Sequence, residues 1–127
     1  MSTTQKYRFE VEVSTHFLEE QSDPEGGPFV FAYTIDIRNI GEGTAQLLRR
    51  HWVITDAMNN VQEVRGDGVI GEQPVLRPGE TFQYTSGCPL PTSVGTMKGE
   101  YTFVTEDGDT FEVAIPEFLL SVPHALH

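Results

Sequence analysis

Three glycines and an adjacent arginine form the pattern in this 127-residue chain that most resembles a chemical site. Gly66, Gly68 and Gly71 have the spacing G-x-G-x-x-G of dinucleotide-binding loops, and Arg65 directly precedes them. In that motif the loop follows a parallel strand and opens a helix, whose N-terminus binds a pyrophosphate. The chemistry in question is therefore the binding of a phosphate or a nucleotide.

The residues that follow the glycines do not permit the helix that this motif requires. Pro74 comes three residues after Gly71, and Pro78 comes four residues later. Proline removes a backbone donor and clashes with the preceding helical turn, so "EQPVLRPGE" cannot form a helix interior. We therefore reject a Rossmann loop and interpret the glycines as residues that permit positive φ in a bulged crossing between strands.

A small anion site at the same loop is the alternative interpretation. Consecutive backbone N–H groups in a glycine-rich loop form an anion-binding concavity without any helix. The residues of such a site are Arg65, Gly66, Asp67, Gly68 and Gly71. The guanidinium of Arg65 attracts a phosphate, a pyrophosphate or a nucleotide, whereas the carboxylate of Asp67 repels it.

Residue types for nucleophilic catalysis are present, but nothing in their spacing brings Ser86, Cys88 and His51 together. Cys88 is the single cysteine, so the chain forms no internal disulfide and a reducing, cytoplasmic location is expected. The four histidines lack metal-binding spacing. We predict no catalytic residue, no metal site and no cofactor, and therefore no enzyme.

Arg49, Arg50, His51 and Trp52 form the one positive cluster of the sequence. Successive side chains of a strand point to opposite faces, so Arg50 shares a face with Trp52, and Arg49 shares the other with His51. We interpret Trp52 as a core residue with Arg50 on the same inward face. The alternative is a binding patch, since Trp and Arg are enriched in binding hot spots.

The formal net charge is −11, from eight basic and nineteen acidic residues. A negative field repels phosphate chains, and nucleic-acid affinity depends largely on Lys and Arg, so direct nucleic-acid binding is not expected. No apolar run reaches the roughly 18 residues that span a membrane. The N-terminal "MSTTQKYRFEVEV" lacks the apolar stretch of a signal peptide.

Alternation of apolar and polar residues predicts strands along most of the chain. Residues 6–17 and 29–40 alternate with a period of two. Residues 44–56 also allow a helical stripe, but "HWVIT" is rich in β-branched and aromatic residues and favours a strand. "CPLPTSVG" (88–95) is predicted to be a loop, and Pro116 predicts an edge strand or a bend.

About eight strand-like segments with regular turns and no convincing helix indicate an all-β fold. We predict an antiparallel, immunoglobulin-type β-sandwich of about 7–8 strands. Residues 1–127 form one domain, and the termini at 1–5 and 124–127 are expected to be mobile.

The sequence resembles the ApaG family of small bacterial proteins. The resemblance extends from about Tyr7 to His127 and implies a fibronectin type III-like sandwich, in agreement with the alternation. The segments that carry it are "FAYTIDIRN" (31–39), "QLLRRHWVITD" (46–56), "VRGDGVIGEQPVLRPGE" (64–80), "YTSG" (84–87), "GTMKGEY" (95–101) and "SVPHALH" (121–127).

The resemblance implies less about function than about fold. Bacterial members are linked to cobalt resistance and magnesium efflux, and related domains in an F-box protein and a polymerase delta-interacting protein imply protein binding. The glycine motif of the family, proposed as a pyrophosphate-binding element, falls here on Gly66, Gly68 and Gly71. This chain has Asp67 where the family pattern has a glutamate.

We therefore predict a non-enzymatic interaction module with an unknown protein partner. Its binding loops are expected at 65–72 and 86–95, where prolines reduce the entropy lost on binding. The second loop would contribute Ser86, Gly87, Pro89 and Pro91. The alternative is a sensor of phosphate, pyrophosphate or a nucleotide. A hydrolase is a third interpretation, for which no general base with a partner is visible.

Overall fold

The computed structural model describes residues 6–123, which form two antiparallel β-sheets. The strands are β1 (Phe9–Phe17), β2 (Phe29–Asn39), β3 (Ala45–Asp56), β4 (Val61–Asp67), β5 (Val75–Leu76), β6 (Thr81–Leu90), β7 (Val94–Thr105) and β8 (Thr110–Ser121). One sheet has the order β1-β2-β6, and the other has the order β4-β3-β7-β8, with β5 also paired to β3. The predicted all-β sandwich of about eight strands is confirmed.

Alternation determines which face of each strand is buried. In β2, Phe31, Ile35 and Ile37 are at most 1% exposed, whereas residues 32, 34 and 36, on the other face, are partly accessible. The inward residues pack against those of β3 and β7; for example, the Tyr33 ring centroid lies 5.3 Å from that of Trp52. The core therefore lies between the two sheets, where the alternation predicts it.

The two sides of the sandwich differ. On one side β1 and β8 contact each other, and the ring of Phe9 lies 4.3 Å from that of Phe103 in β7. On the other side β4 and β6 are the terminal strands of their sheets, so each is paired along one edge within its sheet. Residues of both strands line a cleft between the sheets.

The ambiguous segment 44–56 forms β3, which confirms the strand interpretation. Ala45 and Leu47 face the core at its start. A register shift between Leu47 and Arg49 then inserts one extra residue opposite β7. Beyond this bulge the even-numbered residues face inward, so that Trp52 is 2% exposed.

The predicted loop at 88–95 is wrong over most of its length. β6 continues to Leu90 and β7 begins at Val94, so the connection is only 91–93. Cys88 and Leu90 alternate inward and are buried, which extends the strand. Pro89 is tolerated because β6 is a terminal strand, where a missing N–H leaves the ladder intact.

Pro116 lies in β8, which is a terminal strand, as the sequence predicts. The expected mobile termini, residues 1–5 and 124–127, lie outside the described residues. Within residues 6–123, no helix has the length and apolar character that crossing a bilayer requires.

Hydrogen bonds of the Asn39 side chain connect the end of β2 to the opposite sheet. Its side chain is fully buried, and Nδ2 donates to the carbonyls of Gly43 at 2.8 Å and Leu76 at 2.9 Å. Oδ1 accepts from the N–H of Gly41 at 2.9 Å. One amide therefore satisfies three backbone groups from the 41–43 turn and β5.

Asn39→Ala is expected to lower the free energy of unfolding by about 3 kcal/mol, because buried backbone groups lose their partners. Urea unfolding followed by Trp52 fluorescence measures this loss. Gln21→Ala is the matched control, because Gln21 is exposed and its loss should change stability by less than about 0.5 kcal/mol. Equal effects of the two substitutions would contradict the role given to Asn39.

Candidate functional site

The first glycine of the motif lies in a strand and makes room for a side chain. Gly66 is opposite Arg50 in the β3–β4 pair. A Cβ atom built on Gly66 would lie 2.8 Å from the guanidinium of Arg50. The Arg50 side chain extends over Gly66, and its Nη1 donates to the carbonyls of Asp67 at 3.0 Å and Gly68 at 2.9 Å.

The other two glycines shape the turn that follows β4. Gly68 has a φ of 63°, and a Cβ there would collide with the carbonyl oxygen of Glu72. Ile70 and Gly71 have φ values of 43° and 81°, and Glu72 N–H donates to Val69 O at 2.9 Å. Two central residues with positive φ define a type I′ turn. The predicted positive φ is confirmed for Gly68 and Gly71 and is wrong for Gly66, which lies within β4. The connection is a tight turn rather than a bulged crossing.

Several backbone donors of this turn already have acceptors. The N–H of Gly68 donates to Leu48 O at 2.7 Å, and the N–H of Val69 donates to Glu72 O at 2.8 Å. With the N–H of Glu72 bound to Val69, three donors of the loop are engaged within the fold. An anion at the loop would therefore rely mainly on side chains rather than on these amides.

Side chains next to the turn form a groove of about 440 Å³ on the outer face of the larger sheet, which we call the outer groove. In one row across the strands, Arg49 lies between Asp67 of β4 and Thr102 of β7. In the next row, His51 lies between Arg65 and Glu100. Each row thus contains one acidic side chain beside Arg49 or His51, and such cross-strand pairs stabilise a sheet.

His51 is held between two carboxylates of this face. Its Nε2 lies 2.8 Å from Oε1 of Glu63, and its Nδ1 lies 3.2 Å from Oε1 of Glu100. The hydrogen bond from His51, together with the charge of Arg65, holds the pKa of the Glu63 carboxyl below its usual range. The acids occupy opposite ends of the imidazole, so this ring is oriented as a surface ion-pair residue.

The open side of the sandwich contains a second depression, of about 230 Å³, which we call the edge cleft. Its walls are Gln62 and Val64 of β4 and residues 86–89 of β6. Its floor includes Tyr33 and Trp52. The edge cleft therefore joins two terminal strands to the aromatic core.

Two polar groups of β3 face this cleft. Trp52 is 2% exposed, and its Nε1–H has no hydrogen-bond partner within the described part of the chain. Arg50 is partly buried on the same face of β3, where its charge acts on the buried hydroxyl groups of Tyr33 and Tyr84. The sequence interpretation of Trp52 as core, with Arg50 on its face, is confirmed.

Cys88 also lines the edge cleft, as a buried and inert thiol. Burial raises the pKa of the Cys88 thiol to about 11, so the reactive thiolate is scarce at neutral pH. His51 lies on the outer face of the other sheet, whereas Cys88 lies inside the sandwich. The structure does not assemble these residues into a nucleophilic site.

The predicted site residues fall into two separate places. Arg65, Gly66 and Asp67 line the outer groove, while Gly68 and Gly71 shape the turn beside it. Of the second set, Ser86, Gly87 and Pro89 line the edge cleft from a strand rather than from a loop, and Pro91 follows in the connection to β7.

Sequence reasoning missed the acidic members of the outer groove, Glu100 and Glu112, and the unpaired indole of Trp52. The groove acids come from β7 and β8, which only the strand register brings beside Arg49. Alternation predicted the face on which Trp52 lies. No pattern in the sequence predicts that its indole N–H lacks a hydrogen-bond acceptor among the described residues.

Comparison with known proteins gives concordant results. The family defined by the ApaG domain matches residues 19–105. The chain is 62% identical over 127 residues to Protein ApaG of Dechloromonas aromatica, and 57% identical over 127 residues to Protein ApaG of Thiobacillus denitrificans, covering 100% of each chain in both cases. A crystal structure of a Bordetella pertussis protein described as ApaA superposes with a TM-score of 0.92 at 55% identity, covering 95% of this chain and 98% of that one.

Gly68 and Gly71 should respond differently to substitution. Gly68→Ala is expected to cost about 3 kcal/mol of stability, because a Cβ at positive φ meets the Glu72 carbonyl. Gly71→Asn should cost less than about 1 kcal/mol, since asparagine adopts positive φ readily and no atom lies within 4 Å of a Cβ there. Urea unfolding compares them, and equal losses would refute the geometry of the turn.

Proposed function

The chain belongs to the ApaG domain family, and on that premise we propose that it is a non-enzymatic binding module whose partner docks at the edge cleft. The observation that carries the proposal is the unpaired N–H of Trp52 in a cleft between two terminal strands. Buried polar groups in folded proteins nearly always have partners. The nitrogen itself is covered in the free chain, so a bound partner that supplies an acceptor would satisfy this group by displacing the side chains that cover it.

The terminal strands β4 and β6 support a macromolecular partner. A strand at the end of a sheet presents unpaired backbone groups along its free edge, and extended peptides commonly pair there. Trp52 and Arg50 are also residue types that dominate binding energy at interfaces. The module would then influence any cobalt or magnesium phenotype through its partner.

A matched pair of substitutions on β6 tests the proposal. The side chain of Ser86 faces inward at the cleft, and Gly87, the next residue, faces outward, where a Cβ would make only an ordinary 3.7 Å contact with Phe31 O. Peptides selected from a random displayed library against the full chain should bind Ser86→Met about tenfold or more weakly, a loss of about 1.4 kcal/mol, because methionine fills the cleft.

Gly87→Met should leave the same affinities within about twofold, since its side chain points to the outer face. Binding is measured by Trp52 fluorescence, which reports on the cleft because the chain has one tryptophan. Recovery of no peptides, or peptides whose affinity is indifferent to Ser86→Met, would reject the docking site.

The outer groove favours a second candidate function, the binding of phosphate or pyrophosphate. Two of the eight basic residues of the chain, Arg49 and Arg65, line it from the outer face, and Arg50 lines both this groove and the edge cleft. The acids Asp67, Glu100 and Glu112 line it as well and oppose an anion. This balance ranks the anion sensor second.

Arg49→Gln tests the second candidate. If the groove binds pyrophosphate, backbone amide resonances of residues 65–67 should shift saturably during titration, and Arg49→Gln should weaken binding about tenfold. Arg77→Gln, an exposed arginine outside the groove, is the matched control and should have no effect. Shifts spread across the acidic surface without saturation would exclude the anion site.

A further inference from the structure

Trp52 and Arg50 form a donor pair with no acidic partner. They are two residues apart on one face of β3, which places their backbones about 7 Å apart. The buried Trp52 Nε1–H has no acceptor among residues 6–123. In the same part of the chain, the ion pairs within 4.0 Å involve His51 and Arg65 but not Arg50.

Arg50 is therefore a partly buried cation with no carboxylate within 4.0 Å among residues 6–123. One nitrogen, Nη1, donates to the carbonyls of Asp67 and Gly68, which orients the guanidinium. Its remaining N–H groups have no hydrogen-bond partner in the described residues and are not buried, so they stay available. A partly buried cation with a fixed orientation favours an anionic acceptor, and guanidinium binds carboxylate with particular geometric precision.

The rest of the cleft indicates how that acceptor arrives. Arg50 is the only charged residue among those that line the described cleft, and Ile54, Val64 and Met97 supply apolar surface that suits an aliphatic stem. The free edge of β6 runs along the opening from Ser86 to Pro89. An extended segment paired with this edge would direct alternate side chains into the cleft.

We propose that the edge cleft binds an extended polypeptide segment that inserts one glutamate or aspartate side chain between Arg50 and Trp52. This inference rests on the proposed function and adds the chemistry of the partner. The inserted carboxylate accepts from the guanidinium, and the segment pairs with β6. It also accepts from the indole N–H once the side chains that cover this buried nitrogen in the free chain move aside.

The charge of the whole chain further restricts the partner. The formal net charge of −11 repels strongly acidic segments at long range, although salt at physiological concentration screens this over about 8 Å. Only the cleft reverses the sign locally. The segment therefore carries a single inserted acid and is otherwise neutral or basic.

The test uses capped peptides, so that a free C-terminus cannot supply the carboxylate. Peptides selected from a random displayed library are synthesised with acetylated and amidated ends, each as a pair in which the acid is replaced by its amide. They are titrated into the full ¹⁵N-labelled chain. The single tryptophan gives one indole N–H resonance, which reports directly on the proposed hydrogen bond.

The acid peptide should bind about tenfold or more tightly than its amide counterpart and should move the indole resonance downfield. Arg50→Gln should abolish this preference, whereas Arg77→Gln should preserve it. Arg50 also supports the turn after β4, so the comparison of acid and amide on the unmodified chain decides the question if Arg50→Gln does not fold.

Equal affinities for the acid and amide peptides, or an unmoved indole resonance, would overturn the inference. If selected peptides carry no common acid yet still bind Ser86→Met more weakly, the proposed docking function is supported and the inserted carboxylate is refuted. If no peptide binds the chain, both the proposed function and this inference fail.

Discussion

The bulge at Leu48 in β3 determines which side chains line the outer groove and which line the edge cleft. Before it the odd-numbered residues, such as Leu47, face the core, and after it the even-numbered ones do. Without the extra residue, Arg49 and His51 would point into the sandwich and Trp52 into solvent. A one-residue slip exchanges the two faces of a strand. This single insertion therefore places Arg50 and Trp52 on the cleft side and leaves Arg49 and His51 in the outer groove.

An inward arginine imposes further constraints on its neighbours. Its guanidinium extends over β4, where a side chain at position 66 would collide with it, so Gly66 is required for packing. The carbonyls of Asp67 and Gly68 accept from the guanidinium, and Gly68 adopts positive φ directly before the type I′ turn at 69–72. The glycine spacing that resembles a nucleotide loop thus follows from accommodating Arg50 and reversing the chain within a few residues.

Alternation predicted most of the fold, because burial between two sheets acts on every second residue. It placed Trp52 and Arg50 on the inward face and identified the strand at 44–56. It failed at 88–95, where two prolines indicated a loop although the burial of Cys88 and Leu90 maintains a terminal strand. The sites were less accessible to prediction. Strand order decides which edges stay free and which acids meet Arg49, and those are contacts between residues far apart in the sequence.

The placement of Arg50 is informative because burying a cation is costly. Partial desolvation of a guanidinium is tolerated only where hydrogen bonds or an opposite charge compensate it. Two backbone carbonyls provide part of that compensation, and carboxylates are abundant elsewhere on this acidic chain, yet the ion pairs among the described residues involve His51 and Arg65. The remaining charge, beside an indole N–H without an acceptor, is more economically explained by an external carboxylate than by stability. A fold selected for stability alone would place an apolar residue at position 50, because well-packed apolar groups are commonly at least as stabilising as buried charges.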